Sequence, residues 1–122
     1  MAIGTTFLGL LEPGTLDPEF AAAIGNIRMD GYVMKINLAL DGLPDFKCLP
    51  GRALGPQHKT TFHVCPSLDY IDRAWEEAVN GVPSRNPVLE CTIPTAYDDS
   101  LAPPGKHLMN VFVQYAPYKL KE

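Results

Sequence analysis

The chain has 122 residues, 46% of them hydrophobic and 20% charged, with a net charge of -4. At that length one domain is expected, burying about two thirds of the surface its unfolded chain exposes, and the composition lies outside the disordered class. The 10 basic residues are scattered, with no Lys/Arg cluster interleaved with aromatics, which argues against nucleic acid as a partner.

Apolar runs such as 7–11 and 20–24 fall far short of the roughly 20 residues a bilayer requires. No charged stretch followed by a long apolar one opens the chain. No membrane span is therefore expected, and the expected compartment is the cytoplasm. Cys48, Cys65 and Cys91 make an odd count without a C-x-x-C spacing, which fits reduced thiols better than a disulfide framework.

In chain order, Asp17-Pro18-Glu19 marks the first helix. The aspartate can cap orphan amides, the proline is preset for the first helical position and the glutamate suits the dipole. The helix is expected to run to about Arg28, with Phe20, Ala23, Ile24 and Ile27 as a covering stripe. A strand is expected over 32–40, placing Met34, Ile36, Leu38 and Leu40 on one face and Lys35 and Asn37 on the other. A second strand, 60–65, sets Phe62 and Val64 against Thr61 and His63. After Pro66-Ser67 comes a second helix with a predicted stripe of Leu68, Ile71, Trp75 and Ala78/Val79, ended by Asn80-Gly81.

Strands are then expected over 88–93 and 108–115, with Leu89, Cys91, Ile93, Met109, Val111 and Val113 on the apolar face. Glu90, Thr92, Asn110 and Gln114 lie opposite. The 96–107 connection holds two prolines, a glycine and two aspartates, so its turns are specified and an ordered loop is expected. Asp98 and Asp99 point apart on extended backbone and read as turn and cap residues rather than an acid/base pair. Tyr115 and Tyr118 straddle Pro117, which stops further pairing, and read as an aromatic rim.

The expected fold is therefore α+β: a single, mostly antiparallel or mixed sheet of four or five strands with two helices on one face. Its opposite face is mixed, carrying Val33, Ala39, Val88, Leu108 and Phe112 among the polar residues. That suits water, a ligand or another domain. No metal site is expected, because His58, His63 and Cys65 lack a fourth nearby ligand in a paired short spacing. A Cys65 nucleophile activated by His63 is awkward, since i, i+2 side chains on a strand stand nearly parallel, roughly 6 to 7 Å apart. No catalytic residue is assigned.

The stretch Val88 to Tyr118, together with Ile36-Asn37-Leu38-Ala39-Leu40-Asp41-Gly42-Leu43-Pro44, resembles the phytoene dehydrogenase-like branch of the flavin-dependent amine oxidase and carotenoid desaturase superfamily. The likeness runs through most of the chain and only through the part of those enzymes that faces substrate. It implies that residues 1–122 form a single substrate-binding domain whose ends fall where an insertion in a cofactor domain would be cut. It also implies FAD in the full-length context, and a small apolar or amine-like substrate oriented by the face around His63, Asn110, Gln114 and Tyr115. No glycines here have the G-x-G-x-x-G spacing, so a flavin-binding domain in cis or trans is the implied partner and this chain alone is expected to hold no cofactor. The alternatives are a stand-alone binding or self-association module, such as a homodimer, and, with least support, a small thiol- or metal-dependent enzyme.

Overall fold

The computed structural model describes residues 3–121, which form two compact units meeting in sequence at Asp30 and Gly31. In the first, a π-helical turn, Thr5–Gly9, is followed by helix α1, Pro18–Gly25. The Asp17 carboxylate accepts from the amides of Glu19 and Phe20 at 2.9 and 3.2 Å, satisfying donors that no earlier turn can reach. The helix stops at Gly25, a turn short of expectation. Asn26 and Ile27 close it with bonds to the carbonyls of Ala22 and Ile24. Of the predicted stripe only Ile24 is buried; Phe20 and Ile27 remain exposed, Phe20 meeting Phe7 edge-on at 5.5 Å.

The second unit contains one open four-stranded antiparallel sheet in the order β1-β4-β3-β2. The strands are β1, Val33–Leu40; β2, Phe62–Val64; β3, Val88–Thr92; and β4, His107–Gln114. With its helices it is the expected α+β architecture, and the sheet is antiparallel throughout. Register settles which side chains are lateral neighbours. Ile36, Val111, Cys91 and Phe62 form one row across all four strands, and Met34, Val113, Leu89 and Val64 form the next. Cys91, Val111 and Val113 are the buried centre of this apolar face, with Phe62, Leu89 and Met109 packed around them.

Helix α2, Leu68–Val79, joins β2 to β3, and Ser67 caps it by accepting from the Tyr70 amide. Its buried positions are Ala74 and Ala78, flanked by the half-buried Tyr70, Ile71 and Glu77. The predicted stripe is therefore met in part: Ile71 and Ala78 face inward, but Leu68, Trp75 and Val79 are exposed, Leu68 by 78%. Small alanines let the 82–87 segment pass close against the helix, where Ser84 Oγ donates to the Ala74 carbonyl and Tyr70 Oη to that of Pro87. Trp75 instead meets the rings of Tyr32 and Tyr115 at 5.2 and 5.1 Å.

The long β1–β2 connection is organised by His58, which is 1% exposed. Its Nδ1 accepts from the Gly55 amide, which assigns the ring proton to Nε2, and Nε2 donates to the Pro44 carbonyl at 2.9 Å. Both ring nitrogens are therefore spent on holding the loop closed. The loop's Phe46 packs on the His58 ring and on Phe62 of β2. After β4 the chain is tied back on both sides, by Ala116 and Tyr118 to the carbonyls of Tyr32 and Gly31 and by Lys121 to that of Gly81. Gly81, at φ +76°, allows this approach: a Cβ there would lie 2.8 Å from the Lys121 nitrogen.

Candidate functional site

Alternation and register together build the second face of the sheet. Lys35, Phe112, Glu90 and His63 form its middle row, one residue from each strand in sheet order. Asn37, Asn110 and Thr92 lie in the row on one side, and Val33, Gln114 and Val88 in the row on the other. Rows on one face are separated by about 7 Å and strands by about 4.8 Å, so the three rows make a wall of small-molecule size. Phe112 is 41% exposed on an inner strand, with Lys35 and Glu90 beside it and Asn110 and Gln114 two residues away along its own strand. An exposed aromatic ringed by hydrogen-bonding side chains presents apolar contact at its centre and directional contacts at its margin.

His63 Nε2 lies 3.5 Å from Glu90 Oε2, with the two side chains about half exposed. Such a pair can take up and hand on a proton at the face, but water screens it, so its attraction contributes little to stability.

Of the four residues expected to face substrate, His63, Asn110 and Gln114 share this wall in three different rows. Tyr115, one residue past β4, lies instead against Trp75. Glu90 and Phe112 complete the middle row between Lys35 and His63, a placement that alternation could suggest only as a shared face. The pairing register makes them neighbours.

Cys65 donates weakly to the Ser67 carbonyl, and His58 is committed to its loop. Among the described residues no group of three His, Cys, Asp or Glu side chains is placed to hold a metal ion. No described helix is long and apolar enough to cross a membrane. A dinucleotide pyrophosphate does not fit the elements present. That group needs bare amides at a helix start after a strand of a parallel unit. Here the sheet has only antiparallel pairs, α1 begins behind the Asp17 carboxylate, which would repel phosphate, and α2 begins behind Ser67.

At the end of the sheet where β4 begins, the β3–β4 loop is ordered by its own side chains. Pro94–Ala96 and Asp99–Leu101 form short 3-10 turns. Asp98 Oδ1 accepts from the amide and hydroxyl of Ser100 at 3.0 and 2.6 Å, and these bonds hold its carboxyl below the usual range. Tyr97 Oη donates to the Lys59 carbonyl, tying the loop to the chain ahead of β2.

Comparison with known proteins adds a direction to this geometry. Over 120 residues, 94% of the chain, the sequence is 38% identical to pyridine nucleotide-disulfide oxidoreductase domain-containing protein 2 of Mus musculus. It is similar to one region of that protein. The Rattus norvegicus protein of the same name matches with the same identity and coverage. The chain spans about a fifth of the length of these relatives, 20% of each. No family model matches the chain. No solved structure matches it.

Proposed function

We propose that this chain is the substrate-binding portion of an FAD-dependent, phytoene dehydrogenase-like oxidoreductase and is not catalytic by itself. The observation that carries the reading is the 38% identity, over 94% of the chain, to a fifth of proteins named for an oxidoreductase domain. The wall around Phe112 supports the substrate-binding part of it. Flavin is assigned to a separate domain, in cis or in trans. The share of this chain is to bind and orient a small apolar or amine-like substrate, with His63, Asn110 and Gln114 on the wall. Free thiols at Cys48, Cys65 and Cys91 support a reducing compartment, the cytoplasm, as the place of action.

The test combines the flanking DNA with flavin retention. An in-frame strand, G-x-G-x-x-G turn and helix beside this reading frame, and a longer product that keeps FAD through gel filtration, are the expected results. Stop signals on both sides with no such segment nearby would sink the reading.

One observation favours a second reading, a self-association module. Among the described residues no strand pairs with the outer edge of β1, and Val33, Met34, Ile36 and Leu38 are each at least 36% exposed along it. A stable flavin-free dimer in sedimentation would favour it over the first.

A further inference from the structure

The β3–β4 loop shapes a concavity of about 470 Å³, within the range of small-molecule pockets. Thr95, Asp99, Pro103, Pro104, Lys106 and His107 line it, and Thr95 is only 6% exposed. It stands apart from the wall around Phe112, none of whose row residues line it.

Two of its polar groups, Thr95 and His107, are held before any ligand arrives. Thr95 Oγ1 accepts the Leu108 amide at 3.2 Å, which leaves the hydroxyl proton free to point at His107 Nδ1, 3.1 Å away. In the tautomer in which that hydroxyl donates to Nδ1, the imidazole proton is on Nε2 and the ring offers an N–H donor. Gly105, at φ +75°, and the bond from the Lys106 amide to the Pro103 carbonyl turn the chain so that Lys106 and His107 follow directly on the two prolines. Lys106 Nζ contacts Asp41 at 2.8 Å, but the Asp41 side chain is 98% exposed. Water therefore competes for that contact, and a ligand can take it over.

The lining carries one carboxylate, one ammonium and one imidazole N–H beside an apolar shelf of proline rings. A dianion would meet Asp99, and a simple alkylammonium would leave Lys106 and His107 without an acceptor. We propose that this pocket binds a free amino acid or a closely similar small zwitterion. The carboxylate sits on Lys106 and His107 Nε2–H, the ammonium on Asp99, and the apolar side chain on Pro103 and Pro104. Opposite charges on one rigid ligand satisfy both halves of the lining at once, where either alone leaves a charge uncompensated.

The test is a titration of the 122-residue chain with L-leucine, acetate and methylammonium, followed by amide chemical shifts. Leucine is expected to move the 95–108 amides at millimolar concentrations, with each half-ligand at least about tenfold weaker. Lys106→Met and Asp99→Asn should each weaken leucine about tenfold with the thermal midpoint unchanged. The wild-type ligand series stands even if a variant folds poorly. Absence of leucine-induced shifts over 95–108, or acetate or methylammonium binding as tightly as leucine, would overturn the proposal. Because no flavin enters these measurements, the result is independent of the oxidoreductase reading.

Discussion

The centre of the sheet and its β1 edge share one sequence pattern and end in different environments. Ile36 and Val111 are direct partners in one cross-strand row, yet Val111 is 7% exposed and Ile36 36%. Met34 and Val113 are partners in the next row and differ more, 46% against 7%. Alternation decides which face a residue joins. Whether that face is covered at that point depends on what lies beside and above it, and an inner strand has a neighbour on each side where β1 has one.

The largest test of this contrast places a charge on each partner of one pair. Val113→Asp is expected to cost about 4 kcal/mol, or to prevent folding, because the carboxylate is buried without a partner. Met34→Asp should cost less than about 1 kcal/mol. Urea unfolding of the two variants decides it, and similar losses would mean that β1 is as enclosed as β4. Next comes truncation within one row: Val111→Ala should lose about 2 kcal/mol and Ile36→Ala about half of that or less.

Thiol chemistry sharpens the comparison without mutation. Burial pushes the Cys91 thiol up, and the nearby Glu90 charge adds to the shift, so little thiolate forms near neutral pH. Cys48 is exposed and should alkylate first, with Cys91 labelled only in urea. Labelling of native Cys91 at the rate of Cys48 would contradict a closed centre. The smallest expected effect is on the opposite face, where Glu90→Gln should change stability by less than about 0.5 kcal/mol, since His63 and Glu90 meet in water. A larger loss in thermal unfolding would show that this face is drier than its exposure indicates.

Much of the fold was legible because its signals are local. Asp17-Pro18 and Ser67 mark helix starts by chemistry that acts within one turn, and both side chains make the capping bonds. The Asp98 and Ser100 pairing, with Pro103, Pro104 and Gly105, specifies an ordered loop in the same local way. The inward stripe of α2 was legible only in part. Hydrophobicity points to Leu68, Ile71, Trp75 and Ala78/Val79, of which Ile71 and Ala78 face inward, whereas Ala74 is selected by the passing 82–87 segment for its small size. His58 was also hidden, because its partners Pro44 and Gly55 come together only when the loop closes. At the candidate site, a shared face for His63, Asn110 and Gln114 follows from alternation. The lateral contact of His63 with Glu90 and the position of Phe112 between Glu90 and Lys35 required the register.

The sequence by itself determined the element types, the two faces of each strand and the capping and turn chemistry, because these depend on backbone geometry over a few residues. Tertiary structure alone decided the strand order β1-β4-β3-β2, the rotation of α2, the closing of the loop on His58 and the grouping of polar side chains into a wall and a pocket. Each of these joins residues far apart in the chain, where packing and hydrogen-bond satisfaction, not local preference, select the partner.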